Sequence, residues 1–217
     1  MASEAPVEKP RIGRLRFGKR VPFQMSVAES QLIARLKERD EQAFNEVVRT
    51  HGDKVFSLVF RMIGNRAEAE DLAQEVFVTV FKTVDSFRGE SKFSTWLLRI
   101  AANHCKNRIK YLSRRRTDGA GLDNIAEEKM SDVGRAPLQS HIDGPDVLME
   151  AVELEGLMQK AIATLDEEQR LLIILRDVEE LSYEEIGEVT SLVEGTIKSR
   201  LHRARMTIKE YLARRTR

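Results

Sequence analysis

The segment 182-SYEEIGEVTSLVEGTIKSRLHRAR-205 changes the sign of its charge partway along. Its ionised side chains are all acidic up to Glu194 and all basic from Lys198 onward. Ser182 followed three residues later by Glu185 predicts a capping box, which starts a short helix. A turn and a longer basic helix come next, and this succession is typical of a helix-turn-helix that binds DNA.

The second helix of this pair, predicted from about Val193 to Ala213, carries a polar face suited to nucleic acid. Side chains three and four residues apart lie on one side of a helix. Cations can bind guanine edges, and hydroxyls can bind phosphates or bases. The alternative is a solvated amphipathic helix that ends the protein. The side chains predicted to share the face are Thr196, Lys198, Ser199, His202 and Arg203.

Charge is segregated along the whole chain, although its 217 residues carry a net charge of only +1. Residues 88–116 carry +8 and residues 198–217 carry +7, whereas residues 117–160 carry −7. Two basic blocks that lie far apart in sequence predict two contacts with a polyanion.

The sequence favours no metal site, no cofactor and no membrane insertion. The single cysteine, Cys105, excludes an internal disulfide and suits a reducing cytoplasm. The four histidines are scattered and show no metal-ligand spacing. No window approaches the roughly 18 consecutive apolar residues of a membrane span, and the N-terminus lacks the apolar core of a signal peptide. We therefore expect a cytoplasmic protein.

Hydrophobic periodicity predicts an all-α fold with two small helical domains, because apolar residues recur at helical spacing and rarely alternate as in strands. The first predicted helix runs from Ser30 to Arg39. Asp40 is expected to cap the second, which should break at His51-Gly52, resume and stop at Gly64. Asn65 is expected to cap the third, and the fourth is predicted from Trp96 to about Leu112.

Composition divides the chain into four parts. Glycine, proline and acidic residues interrupt the periodicity in the middle of the sequence, which predicts a flexible acidic linker. The parts are a flexible basic tail at 1–25, a first domain at 26–116, the linker at 117–145 and a second domain at 146–217.

Four stretches carry a resemblance to a known family. They are 71-DLAQEVFVTVFK-82, 87-FRGESKFSTWLLRIAANHCKNRIK-110, 166-DEEQRLLIILRDVEELSYEEIGEV-189 and 195-GTIKSRLHRAR-205. In this order and spacing they resemble the sigma-70 family, specifically the extracytoplasmic-function (ECF, group IV) sigma factors. The resemblance implies that the two domains are sigma region 2 and sigma region 4. The family often has proline where this chain has Val193.

The resemblance also implies three contact surfaces. A helix would dock on core RNA polymerase through Asp71, Gln74 and Glu75. Residues expected to bind the promoter −10 element are Phe87, Arg88, Ser91, Phe93, Asn103, Lys106, Asn107 and Arg108. Residues expected to bind the −35 element are Thr196, Lys198, Ser199, Arg200, His202 and Arg203.

The aromatic residues of the −10 set have a second interpretation. Rings can stack on unpaired bases, and Phe87 and Phe93 are candidates for this role. Burial in the helical core is the alternative for both, and for Trp96 it is the favoured interpretation.

The function implied by the resemblance is that of a bacterial alternative sigma factor. Such a protein binds core RNA polymerase, recognises promoter DNA, opens the −10 element and starts transcription, here in a stress or envelope response. An anti-sigma factor is a further expected partner. The alternative is a free-standing helix-turn-helix regulator that binds duplex DNA without core polymerase. The sequence has no P-loop, nucleophile motif or paired carboxylates beside a metal cluster, so we do not expect an enzyme.

Overall fold

The computed structural model describes residues 25–117 and 145–215, without the side chains of 116, 117 and 145–152. Every regular element in these ranges is helical, which confirms the predicted all-α class. The predicted tail, except Met25, and the predicted linker, except its end residues Thr117 and Pro145, lie outside the described residues. No helix within the described ranges is long and apolar enough to cross a membrane.

The first unit contains four α-helices, and a 3₁₀ turn at Val84–Ser86 follows the third. Apolar residues spaced along each helix form its core face, as Leu72, Val76 and Val80 do in α3 with at most 2% exposure. The helices are α1 (Val27–Lys37), α2 (Glu41–Ile63), α3 (Arg66–Thr83) and α4 (Phe93–Thr117).

The predicted helix caps of this unit are confirmed. Asp40 Oδ1 accepts a hydrogen bond from the N–H of Gln42 at 2.8 Å, and Asn65 Oδ1 accepts one from the N–H of Glu68 at 2.9 Å. These bonds satisfy donors that a helix start leaves unpaired. Gly64 ends α2 with a φ of +78°, a left-handed conformation that favours glycine.

The predicted break at His51-Gly52 is wrong, because α2 continues without interruption from Glu41 to Ile63. A glycine inside a helix costs roughly 0.5–1 kcal/mol relative to alanine. Val47 and Val55 on either side are fully buried, and burying one such side chain contributes about 1.5–3 kcal/mol. Packing of the flanking turns therefore outweighs the local preference of the glycine.

Alanine at Gly52 and alanine at Gly64 should change stability in opposite directions. A Cβ at Gly52 would meet no atom within 4 Å, so Gly52→Ala is expected to raise the free energy of unfolding by roughly 0.5–1 kcal/mol. Alanine at Gly64 would have to keep the left-handed φ, so Gly64→Ala should lower it by about 1–2 kcal/mol. Urea denaturation measures both, and shifts of the same sign would contradict this account.

Two helices begin earlier than predicted. The first begins at Val27 because Ser26 Oγ accepts a hydrogen bond from the N–H of Glu29 at 3.1 Å. The fourth begins at Phe93, and the N–H of Trp96 already donates to the carbonyl oxygen of Lys92 at 3.1 Å. Local caps and first-turn bonds therefore place these starts three residues before the apolar pattern becomes regular.

The second unit contains four more α-helices. The second of them continues into a π-helical turn at Ile174–Val178. The last two form the predicted helix-turn-helix, joined through Ser191, whose φ of +61° is left-handed. The helices are α5 (Pro145–Ala163), α6 (Glu167–Ile173), α7 (Tyr183–Thr190) and α8 (Glu194–Ala213).

The two units pack against each other. α2 lies against α5 and α6, and α4 lies against α7. Their buried apolar residues form one continuous cluster, which includes Val59 from the first unit and Leu172 from the second. The sequence pattern by itself does not predict this contact between the units.

A cluster of polar side chains lies between α2 and the second unit, and we call it the polar seam: Arg61, Glu155, Gln159 and Arg170. Arg61 Nη1 lies 2.7 Å from Glu155 Oε1. Gln159 Nε2 donates to the carbonyl oxygen of Arg61 at 3.3 Å, and Arg170 Nη1 donates to that of Met62 at 2.8 Å. Side chains of the second unit therefore bind the backbone near the end of α2.

Candidate nucleic-acid and polymerase interfaces

The capping box predicted at the start of the helix-turn-helix is confirmed. Ser182 Oγ accepts a hydrogen bond from the N–H of Glu185 at 3.2 Å, and Glu185 Oε2 accepts one from the N–H of Ser182 at 2.8 Å. The reciprocal pair satisfies two donors at the start of α7. It fixes the residue at which the short helix of the helix-turn-helix begins.

The face of α8 predicted to bind DNA points away from the core. The opposite face is buried through Ile197, Leu201 and Ala204, each at most 1% exposed. Of the predicted −35 residues, two are half-buried and four are exposed. The half-buried ones are Thr196 and Arg200, and the exposed ones are Lys198, Ser199, His202 and Arg203.

Lys198 forms the contacts most easily exchanged for a phosphate. Its Nζ lies 2.6 Å from Glu194 Oε1 and 5.1 Å from the ring centre of Tyr183. The hydrogen bond and the charge of Glu194 raise the pKa of Lys198, so the amine stays protonated at neutral pH. Exposed pairs of this kind contribute little net stability, and a DNA phosphate can therefore replace the glutamate at low cost.

Arg200 differs from the other predicted −35 residues because it binds a neighbouring helix. Its guanidinium pairs with Glu168 in α6. One and a half turns further along α8, Arg205 Nη2 lies 2.6 Å from Asp177 Oδ1. These two arginines link α8 by ion pairs to α6 and to the π-helical turn that follows it. A DNA contact by Arg200 stays a prediction.

Val193 caps α8 without a side-chain hydrogen bond, but its backbone is extended, with a φ of −76° and a ψ of 149°. Its carbonyl oxygen accepts hydrogen bonds from the N–H groups of Thr196 at 3.0 Å and Ile197 at 3.1 Å. Proline holds φ near −65°. Valine therefore takes a backbone angle within the range that proline would impose at this position.

The loop that joins the 3₁₀ turn to α4 contains an aromatic cluster. Phe87 is 4% exposed and Phe93 is 2% exposed. Their ring centres lie 5.4 Å apart, and the half-buried Trp96 packs on both rings, at 5.4 and 5.6 Å. In this conformation neither phenylalanine ring offers a face to a base. Their stacking role stays a prediction that requires the loop to rearrange.

Residues of the first unit hold the same loop in place. Lys37 Nζ donates to the carbonyl oxygen of Phe87 at 3.0 Å, and Glu29 Oε1 accepts a hydrogen bond from the N–H of Phe93 at 3.4 Å. Of the other −10 residues predicted in the loop, Arg88 is exposed and Ser91 is buried.

The predicted −10 residues on α4 lie on its outer side. Asn103 and Asn107 are exposed, and Lys106 and Arg108 are half-buried. Arg108 Nη2 also lies 3.3 Å from Glu75 Oε1 on α3. One predicted −10 contact and one predicted polymerase contact are therefore partners in a single ion pair.

The predicted polymerase-docking residues share the solvent face of α3. Asp71, Gln74 and Glu75 are exposed, whereas Leu72 and Val76 point into the core with at most 2% exposure. The three polar side chains are therefore brought together as one surface, and the fold does not depend on their burial.

Lys92 has a role that the sequence analysis did not assign. Its Nζ lies 2.8 Å from Glu185 Oε1, so a loop of the first unit binds the capping box of the helix-turn-helix. An exposed lysine inside 87-FRGESKF-93 is a signal for a polar contact. Its partner lies 93 positions away in sequence, and no local pattern identifies it.

Among the described residues, no group of three or more histidine, cysteine, aspartate or glutamate side chains is placed to hold a metal ion.

Models of two protein families match the chain. The model of sigma-70 region 2 matches residues 47–115, and the model of sigma-70 region 4 matches residues 155–208. The first match covers most of the first unit and the second match covers most of the second.

Curated relatives match over most of the chain. The ECF RNA polymerase sigma factor SigW of Bacillus subtilis is 36% identical over 192 residues, which are 87% of this chain and 98% of that protein. The RNA polymerase sigma-H factor of Pseudomonas aeruginosa is 36% identical, over 85% of this chain and 93% of that protein. The ECF RNA polymerase sigma-E factor of Escherichia coli is 36% identical, over 84% and 93%.

Solved structures share the fold. CnrH, solved in complex with the cytosolic domain of CnrY, matches with a TM-score of 0.60 at 20% identity, over 86% of this chain and 97% of that one. The sigma factor RpoE, solved in complex with the anti-sigma factor NepR from Bartonella quintana, matches with a TM-score of 0.59 at 24% identity. That match covers 78% of this chain and 96% of the other.

Proposed function

The chain belongs to the ECF sigma factors of the sigma-70 family, and from this premise we propose how its surfaces divide the work of transcription initiation. It is an alternative sigma factor that binds core RNA polymerase and directs it to promoter DNA. The observation that best supports this assignment of surfaces is the exposed basic face of α8. The capping box and the turn direct this face away from the core.

The −35 element is read by α8. Lys198 and Arg203 are exposed cations on one side of the helix, suited to guanine edges or phosphates. Ser199 and His202 lie between them and supply further hydrogen-bonding groups. Thr196 lies near the start of α8, where N–H groups and the helix dipole attract phosphate.

The −10 element is bound by the loop before α4 and by α4 itself. Asn103 and Asn107 are exposed amides, which can pair with adenine or bind the sugar-phosphate backbone. Arg88 and Lys106 supply positive charge beside them. Phe87, Ser91 and Phe93 take part only after the loop moves, since all three are buried in this conformation.

Core polymerase is bound by the exposed face of α3 through Asp71, Gln74 and Glu75. This acidic face is separate from the basic face of α8, and it meets the −10 surface at the Glu75–Arg108 pair. The protein itself contributes no catalytic step, because the polymerase forms the phosphodiester bonds, and it acts in the cytoplasm with the enzyme it directs.

An anti-sigma factor is a further partner in this proposal, and the regulated process is a stress or envelope response. Two proteins of the same fold, CnrH and the sigma factor RpoE, were solved with a bound partner, and the partner of RpoE is an anti-sigma factor. The wide coverage of both chains supports the same mode of control here.

Specific promoter binding should require core polymerase. The linker at residues 117–145 carries −4, and a tethered acidic segment competes with DNA for nearby basic surfaces. Titration of promoter DNA with the free protein is expected to show weak binding with little sequence preference, and the reconstituted holoenzyme should transcribe selectively from a promoter library. Tight, sequence-specific binding by the free protein would favour the free-standing regulator instead.

A further inference from the structure

The contact between the two units contains polar groups that a permanent interface would satisfy or exclude. Arg61 Nε, Gln159 Oε1 and Arg170 Nε are buried, and none has a hydrogen-bond partner among the described residues. An unpaired buried polar atom costs free energy that an apolar contact would not. These unpaired atoms therefore offset part of the stability that the continuous apolar cluster gives to the contact between the units.

A half-buried acid adds to this cost. Burial raises the pKa of Glu179, which follows the π-helical turn and faces α2. A hydrogen bond from Ser57 and the positive charges of Lys54 and Arg61 oppose the shift. Burial between the units therefore disfavours the charged form of Glu179, and separation of the units relieves this penalty.

The second attachment between the units is the Lys92–Glu185 pair. Glu185 Oε2 accepts a hydrogen bond from the N–H of Ser182, and Glu185 Oε1 pairs with Lys92 Nζ, both at 2.8 Å. Burial would raise the pKa of Glu185, but the hydrogen bonds from Lys92 and Ser182 outweigh it and lower the pKa. The hydrogen bond and charge of Glu185 raise the pKa of Lys92 in turn. Both groups are therefore charged at neutral pH.

Promoter geometry requires the units to separate. Elements centred at −35 and −10 lie about 25 base pairs apart, or about 85 Å along B-form DNA. A fully compact chain of 217 residues would have a radius of gyration of about 17 Å, which corresponds to a sphere about 45 Å across. With α7 held against α4, the two DNA-binding surfaces therefore cannot reach both elements.

We propose that the Lys92–Glu185 pair is an autoinhibitory latch that holds the −10 loop against the helix-turn-helix in the free protein and opens on assembly with core polymerase. The latch rests on the proposed function, because it assumes that both surfaces bind promoter DNA. The pair joins the two elements that have to separate. One is the loop of the −10 surface, and the other is the capping box of the helix-turn-helix that binds the −35 element. The unpaired polar atoms of the polar seam lower the free energy needed to open the closed form.

A water-soluble carbodiimide tests the latch, because it joins an amine to a carboxylate when the two are in contact. The reagent activates the carboxylate, the lysine amine displaces the activated oxygen to form an amide, and the reagent leaves as its urea. Peptide mass spectrometry is expected to find a Lys92–Glu185 crosslink in the free protein. After assembly with core polymerase, without DNA, its yield should fall roughly tenfold, following the closed population.

The matched control is the Lys198–Glu194 pair, which has a distance of 2.6 Å and lies within one helix. Its crosslink should form equally in the free protein and the holoenzyme. A missing Lys92–Glu185 crosslink beside a normal control would overturn the proposal. An undiminished Lys92–Glu185 crosslink in the holoenzyme would overturn it as well.

Glu185→Gln tests the consequence for DNA binding. Glutamine also serves in a capping box, so α7 should keep its start while the charge that holds Lys92 is lost. Loss of one partly exposed ion pair should raise the affinity of the free protein for single-stranded −10 DNA about two- to fivefold. Holoenzyme transcription should be retained, and an unchanged free-protein affinity would contradict the latch.

Failure of the latch and failure of the proposed function give different results. If the proposed function is wrong, the wild-type protein with core polymerase will not transcribe selectively from any promoter. If only the latch is wrong, the wild-type holoenzyme will do so while the crosslink or the Glu185→Gln shift is absent.

Discussion

Reversing the charge at Asp71 and Glu75 is expected to abolish assembly with core RNA polymerase. Both side chains are exposed on α3, so the Asp71→Lys/Glu75→Lys variant should fold. Loss of one hydrogen-bonded charge pair at an interface costs about 2–5 kcal/mol. Two such losses, with repulsion added, should weaken binding about a thousandfold or more. Fluorescence anisotropy of labelled protein titrated with core polymerase measures this change.

The fold of that variant needs its own check, because Glu75 also pairs with Arg108 across α3 and α4. Exposed pairs contribute about 0–1 kcal/mol, so the thermal midpoint should fall by only a few degrees. A control variant, Glu38→Lys/Asp53→Lys, makes the same change in net charge at exposed positions of the same unit. If the control lost polymerase affinity to the same extent, net charge rather than the α3 face would be responsible.

Removing two cations from α8 should remove recognition of the −35 element. Lys198→Ala and Arg203→Ala are each expected to cost about 1–3 kcal/mol of promoter binding by the holoenzyme if they read bases. Together they should weaken it roughly 30-fold to about 20,000-fold. Neither side chain packs in the core, so the helix should persist. Selection from a promoter library by the variant holoenzyme shows which base positions lose their effect.

Two comparisons make this result specific. The Lys209→Ala/Arg214→Ala variant removes the same charge from exposed positions near the end of α8 and should weaken binding slightly at all sequences. Asn103→Ala on α4 should instead change the preference or opening at the −10 element. Loss of the same promoter positions in the α8 and Asn103 variants would disprove the division between two DNA-binding surfaces.

Local sequence patterns identified most of the helices and the direction of their faces. The caps at Asp40, Asn65 and Ser182 were predicted correctly, because each depends on a side chain and an N–H group two or three residues away. The exposed face of α8 was also predictable, since residues three and four apart share a side of any helix. The resemblance in four motifs identified the family, and comparison with relatives confirmed it.

Contacts between distant residues needed the tertiary structure. Gly52 does not interrupt α2, because side chains of other helices bury both flanking turns. Phe87 and Phe93 are covered by Trp96 and by α1 and α2, although an aromatic loop in sequence is equally compatible with an exposed stacking surface. Burial depends on what packs against a side chain, and neighbours in sequence do not specify it.

The chain's sequence by itself determined two helical units, their caps, a helix-turn-helix and two basic blocks, because all of these follow from local spacing and composition. Only the tertiary structure decided that the units pack together through a continuous apolar cluster and the polar seam, that Lys92 binds Glu185 and that Glu75 binds Arg108. These contacts join positions 33 to 108 residues apart. Their formation depends on the balance of burial, charge and chain entropy across the whole molecule, which no local pattern records.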